Sequence, residues 1–431
     1  MISSKEQIIE YFKTGIKETK NFKIGIEHEK FLFNNDDNKR VNYSKIKEMF
    51  TALLEFGWHP VLEKGNIIGL NKGGKNITLE PGNQIELSGD KLNTIHEACA
   101  ESHDYLFELR QVTKKTGIKI VSAGFDPISK LSEVPNNPKK RYELMTKDMP
   151  EGGELSLDMM YRTCGTQLNI DYNSEQDFIK KFKIVNSIVP ITIALFANSS
   201  IKEKQNSNYL SYRSKVWQNT SRGGLPKVFF ENLNFEKYAE FVMNFPILFI
   251  QEEKNYISGK KYIFKDFMNG KIKENENRLP NEIDLSTHLS TIFTENRLKK
   301  YIELRSMDTC GWDCLCSGPA FNVGMLYGNL DEVYELISKW DKNKIINAYL
   351  EAPKKGFNTQ LMGKDLLYWA SCLVDLSRKG LEKRDLLNKS KKNESLFLNH
   401  LQKLIDNKKT NADHMISKFS KNEDLSELYD K

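Results

Sequence analysis

KIGIEHEKFLF, residues 23–33, and NITLEPGNQIELSG, residues 76–89, are the stretches that decide the fold. Side chains alternate along a strand, so Ile24 and Ile26 face one way while Glu27 and Glu29 face the other. In the second stretch Ile77, Leu79, Ile85 and Leu87 share one face if Pro81 and Gly82 sit in a three-residue turn. Thr78, Glu80, Gln84 and Glu86 then share the other. YRTCGTQLNIDY (161–172) and KKYIELRS (299–306) repeat the pattern. Thr163, Gln167 and Asn169 alternate with Cys164, Leu168 and Ile170, and Glu303 and Arg305 lie opposite Ile302 and Leu304. KIVSAGF (119–125) reads as a further strand. No single regular helix separates these segments, and a tight turn joins two of them. An antiparallel sheet with helices packed around it follows, an α+β fold.

Helical periodicity spans 4–18, 43–56, Leu92 to about Lys115, 176–196, 329–340, 363–380 and 392–420. The 431 residues are 39% apolar and 11% aromatic, enough to bury a large core. We expect one catalytic domain over 1–431, with a loop at 253–281 and a charged helical appendage at about 378–431. The 64 basic residues exceed the 58 acidic ones by only 6 and are scattered among acids, so nucleic acid is not an expected partner. The longest apolar run, IVPITIALFA (188–197), is too short to span a membrane, and the N-terminus carries no apolar signal core. A cytoplasmic location with no membrane partner is the expectation.

Placed on one sheet, the polar faces gather Glu27, Glu29, Glu80, Glu86 and Glu303 with Arg305, a set that repels itself unless cations neutralise it. All-oxygen donors suit Mg²⁺ or Mn²⁺, and Mg²⁺ commonly bridges to nucleotide phosphates. On pattern alone, the solvated face of an ordinary amphipathic sheet explains the same alternation. GLNKGGKN (69–76) misses the phosphate-loop pattern at Asn76 and precedes a strand rather than a helix, so it reads as a loop. CGWDCLC (310–316) lacks the paired CxxC spacing of structural zinc sites.

The segments IGIEHEKFLF, IIGLNKGGKNITLEPGNQIELSG, LSLDMMYRTCGTQLNIDY, IALFANSS, LSYRSKVW and THLSTIF…RLKKYIELRSMD together resemble glutamate–cysteine ligase of the plant and proteobacterial type, in order from about residue 5 to 380. The resemblance implies a glutamine synthetase-like architecture with a curved antiparallel sheet and a concave active face. It implies ATP-dependent ligation of the L-glutamate γ-carboxylate to the L-cysteine amine through a γ-glutamyl phosphate, the first step of glutathione biosynthesis. Mg²⁺ (or Mn²⁺) would be the cofactor, and the protein a monomer or homodimer.

Carried over motif by motif, Glu27, Glu29, Glu80, Glu86 and Glu303 are the implied metal ligands. Arg213, Arg222 and Arg305 are implied in catalysis and substrate binding, with Gln167, Thr163 and Trp312 as further substrate contacts. The loop WQNTSRGGLP is shorter than in plant enzymes, which bears on Arg222. Ser258 stands where plant enzymes carry one cysteine of a regulatory pair. Cys99 and Cys316 match the family's other bridging pair, as a possible disulfide or as two free thiols. Two other readings stay open: a ligase with another amine acceptor, and a non-catalytic nucleotide or amino-acid sensor.

Overall fold

The computed structural model describes residues 1–252, 255–422 and 426–428. Its centre is a nine-stranded sheet. The strands are β1 (Ile24–Asn34), β2 (His59–Glu63), β3 (Asn66–Lys72), β4 (Lys75–Leu79), β5 (Ile85–Ser88), β6 (Ile118–Val121), β7 (Gly165–Ile170), β8 (Asn296–Leu298) and β9 (Ile302–Asp308). The order is β8-β9-β7-β1-β5-β4-β3-β2, with β6 also on β1, and every pairing is antiparallel. The expected α+β class and antiparallel sheet are therefore what the chain forms.

The register keeps the acidic residues on one face. Glu29 stands opposite Glu86, Glu27 opposite Ser88 and Gln167, Thr78 opposite Glu86, and Glu303 opposite Asn169. The three-residue turn is present: Glu80 N–H donates to the Gln84 carbonyl at 2.9 Å, and Asn83 takes a left-handed φ of 61°. The stretch 69–76 is the β3–β4 hairpin, turning at Gly73 with a φ of 62°.

The opposite face supplies the cores. Ile24, Ile26, Leu168, Ile170, Ile302 and Leu304 enter the largest apolar cluster, under the helices of the C-terminal half. Leu70, Ile77, Leu79, Ile85 and Leu87 pack beneath helices Tyr43–Leu53 and Ile95–Thr116. Thr94 caps the second of these, its hydroxyl accepting from Glu97 N–H while the Glu97 carboxylate accepts from Thr94 N–H, and Gly117 ends it in a left-handed turn. A third cluster of Tyr142, Met145, Met159, Met160, Trp217 and Phe249 roofs the acidic face.

Several boundaries differ from the sequence expectation. The helix expected at 176–196 is two, Glu175–Ser187 and Val189–Phe196, because Pro190 cannot donate within a continuous helix but fits a first turn. Residues 161–162 close the helix Ser156–Arg162 rather than opening a strand. Helices Lys140–Asp148, Phe235–Asn244, Glu282–Ser290 and Lys342–Lys355 fall where none was expected. Within the expected loop at 253–281, residues 253 and 254 lie outside the described residues. Asn255–Ser258 pairs with Phe249–Glu252, and Phe264–Met268 is helical.

The C-terminal stretch is helical and charged as expected, but it is docked and not an appendage. Leu398, Leu401, Leu404 and Ile405 belong to the largest core cluster, and the Glu394 carboxylate accepts from Ile95 N–H at 2.6 Å.

Candidate active site

Glu27, Glu29, Glu80 and Glu86 line one cavity of about 220 Å³ over the acidic face of the sheet, together with Gln167, Thr163 and Arg305. Strand pleating brings the first, second and fourth carboxylates there, and the β4–β5 turn carries Glu80 to its edge.

Each is held differently. Gly165 N–H donates to Glu29 Oε2 at 2.5 Å and Gln167 Nε2 to Oε1 at 3.1 Å. Asn169 Nδ2 donates to Glu27 at 2.9 Å, and the Ser88 and Thr78 hydroxyls to Glu86 at 2.9 and 3.3 Å. Tyr142 OH donates to Glu80 at 3.3 Å.

Neutral donors do not offset burial. Desolvation, followed by the charge of Glu80, pushes the Glu29 carboxyl from 4.5 up to about 7. Burial and then Glu303 raise Glu27, while burial and then Glu80, Glu27 and Glu29 push Glu86 well above the carboxylate range.

Glu303 departs from the expected ligand set. It is fully buried and absent from the cavity wall, and it pairs with Arg305 at 2.6 Å, Arg297 at 2.7 Å and Lys299 at 2.8 Å. Burial alone would raise its pKa, but Arg297, Lys299 and Arg305 hold it well below the usual range. Its carboxylate is paired with cations of the protein, and it stands outside the cavity that the other four glutamates line.

The arginines divide likewise. Arg305 reaches the cavity, donating to Gln167 Oε1 at 2.5 Å and stacking near Trp217. Arg213 stands behind it: its guanidinium donates to the Arg305 carbonyl at 2.9 Å and lies 4.0 Å from Asp308. Arg222 does not reach the cavity either. It donates to the Thr291 carbonyl and hydroxyl, both at 2.9 Å, and so braces the wall at Thr291 from outside. Arg297 braces the same wall through the Ser290 carbonyl at 2.5 Å and the Ile292 carbonyl at 3.0 Å.

Thr163 lines the cavity with its hydroxyl given to the Met159 carbonyl at 2.7 Å. Trp312 is elsewhere: it packs at the edge of the second apolar cluster and borders a different cavity. Sequence reasoning missed Arg141, Tyr142 and Arg297 on the wall. The Arg141 guanidinium donates to Tyr142 OH at 2.8 Å, and no ion pair to it is found among the described residues. Arg141 lies on an unexpected helix, so no strand alternation pointed to it.

Of the two readings of Cys99 and Cys316, a disulfide or two free thiols, the structure has the free thiols. These two are free and hydrogen-bonded to each other, whereas Cys310 and Cys314, with Cα atoms 5.8 Å apart across a short turn, form a disulfide.

A family model described as glutamate–cysteine ligase family 2 matches residues 23–431, the sheet and its acidic wall included. The chain belongs to the glutamate–cysteine ligase family 2. Chloroplastic glutamate–cysteine ligase B of Oryza sativa subsp. japonica is 40% identical over 88% of the chain and 78% of its own length. The chloroplastic glutamate–cysteine ligase of Nicotiana tabacum is 38% identical over 96% of the chain and 79% of its own length. Among solved structures, the ligase of Francisella tularensis in complex with AMP shares the fold, with a TM-score of 0.51 at 14% identity over 94% of this chain and 86% of its own.

As an enzyme of the glutamate–cysteine ligase family, the chain is a ligase of glutathione biosynthesis acting on small-molecule substrates. The cytoplasmic expectation is corrected by these relatives, which are named chloroplastic. A folded core carries no trace of compartment, which is read from targeting segments outside it. Among the described residues no helix is long and apolar enough to cross a membrane.

Proposed function

We propose that the cavity joins the γ-carboxylate of L-glutamate to the amine of L-cysteine at the expense of ATP, through a γ-glutamyl phosphate. One observation carries this: four glutamates and the guanidiniums of Arg305, Arg141 and Arg297 share one small cavity, so groups of opposite charge can be held side by side.

Among the described residues no three acidic, histidine or cysteine side chains form a ready-made metal cage. The donor chemistry still fits a hydrated divalent ion, because Glu86 is buried, Glu27 and Glu29 are half-buried, and all three are oxygen-only and mutually repelling. Glu27, Glu29, Glu80 and Glu86 would hold Mg²⁺ or Mn²⁺, which when bound supplies charge neutralisation between a carboxylate and a triphosphate.

The rest of the work falls to the chain. Gln167 and Glu303 lock Arg305, so its planar fork meets a carboxylate or phosphate without losing rotamer freedom. Arg141, with no acid paired to it, is placed for a second anionic group. Met145, Met159, Met160, Trp217 and Phe249 exclude water, which would otherwise hydrolyse the acyl phosphate before the amine attacks. The γ-carboxylate attacks the terminal phosphorus of ATP and ADP leaves. The amine then displaces phosphate from the acyl carbon. No protein nucleophile takes part.

The test is ADP release with Mg²⁺, ATP and L-glutamate, adding L-cysteine or other amines in turn. Cysteine-dependent release, reduced at least about a hundredfold in Glu29→Ala, is expected. Release with a different amine only would move the acceptor assignment, and no ADP with any amine would overturn the ligation chemistry.

A further inference from the structure

The sheet has a second polar cavity on its other side. Lys30 follows Glu29 in the strand and points the opposite way, donating to the Cys310 carbonyl at 2.7 Å. Cys310 and its disulfide partner Cys314 border a cavity of about 390 Å³, larger than the acidic one and within the ~300–1,000 Å³ that houses small ligands. Arg110, His400, Asn411 and His414 also line it, brought together from helix Ile95–Thr116 and the two C-terminal helices.

Arg110 is the unusual group. Several arginines bury an unpartnered Nε, but Arg110, half-buried, is set apart because among the described residues its guanidinium makes no hydrogen bond or ion pair at all. A guanidinium partly withdrawn from water with no acceptor is unfavourable, and the cost vanishes when an anion meets it. His400 Nε2 faces Asn411 Oδ1 at 3.1 Å, and Nδ1 has no hydrogen-bond partner among the described residues. Asp313, also at this cavity, is exposed to water, so its charge is screened.

We propose that this cavity binds a compact oxyanion, a carboxylate or phosphate of small-molecule size, with Arg110 as its bidentate anchor, His414 as a secondary donor and His400 as a neighbour that senses the bound charge. Arg's planar fork matches both headgroups. The inference is independent of the ligation chemistry, since none of these residues touches the acidic cavity.

The experiment is NMR of the full-length protein labelled at histidine Cε1, titrated at constant ionic strength with inorganic phosphate in one series and succinate in another. His400→Gln and His414→Gln assign the two signals. Saturable shifts of both are expected with at least one anion, lost in Arg110→Gln and weakened about tenfold or more in Arg110→Lys, which keeps the charge without the fork. A thermal midpoint of each variant no lower than wild type's shows that the fold is intact. Response to phosphate alone, succinate alone or both identifies the headgroup. Absence of any saturable shift, or an unchanged shift in Arg110→Gln, overturns the proposal.

Discussion

Glu29 accepts two hydrogen bonds, yet its carboxyl sits at about 7 because burial and the neighbouring Glu80 outweigh them. Between 4.5 and about 7 the folded protein therefore holds a proton that the unfolded chain has released, and stability conferred by this group falls as pH rises through that window. Buried His28 and His288, lowered to about 3 chiefly by desolvation, act in the opposite sense. They do so equally in wild type and mutant, so they cancel in the difference, which reports Glu29 together with its repulsion of Glu86. In EDTA, calorimetry should show Glu29→Gln melting near wild type at pH 5 and higher than wild type at pH 7.5. Adding Mg²⁺ at pH 7.5 should raise the wild-type midpoint and narrow the gap; a constant gap from pH 5 to 7.5 would remove the electrostatic account. Glu303 behaves oppositely, because three cations hold its charge in place. Glu303→Gln leaves Arg297 and Arg305 buried without their counter-ion, and urea unfolding should register a loss of about 3–5 kcal/mol. A loss under about 1 kcal/mol would mean that water reaches the cluster.

At the scale of the element, alternation in β1, β4, β5 and β7 was legible because one face of each strand must enter a core and pleating then dictates the other face. What alternation does not convey is spacing between strands. The β7–β9 register shifts between Leu304 and Met307, which lets Arg305 reach Gln167 from the adjacent strand. Gly165 sits at this junction, where an added Cβ would meet Arg213 Nη2 at 2.7 Å and the Met307 carbonyl at 3.2 Å. Gly165→Ala should therefore displace Arg213 from the Arg305 carbonyl and disturb the Glu29 hydrogen bond while leaving the sheet assembled. We expect kcat/KM to fall about tenfold or more with unchanged far-UV circular dichroism. Wild-type kinetics in this variant would show that the junction has slack. The wall at 290–293, by contrast, is held by Arg222 and Arg297 through carbonyls, a contact that no side-chain pattern announces.

Over the whole molecule, the segment after Arg384 contributes Leu398, Leu401, Leu404 and Ile405 to the largest core. At roughly 1.5–3 kcal/mol for each buried aliphatic side chain, their removal costs an amount comparable to the stability of an ordinary domain. A chain ending at Asp385 should be insoluble or lose its cooperative melting transition, and a soluble truncate with a sharp transition would restore the appendage reading. Sequence by itself determined the antiparallel sheet, the carboxylates on its acidic face and the family, because strand pleating and motif order are properties of the local chain. Tertiary structure alone decided that Glu303 is neutralised by Arg297, Lys299 and Arg305, that Arg141 lines the cavity while Arg213 and Arg222 stand behind it, and that Trp312 belongs to another cavity. Charge compensation and side-chain reach depend on neighbours that are distant in sequence, and in a medium of low dielectric those neighbours set which carboxylate is free to take a cation.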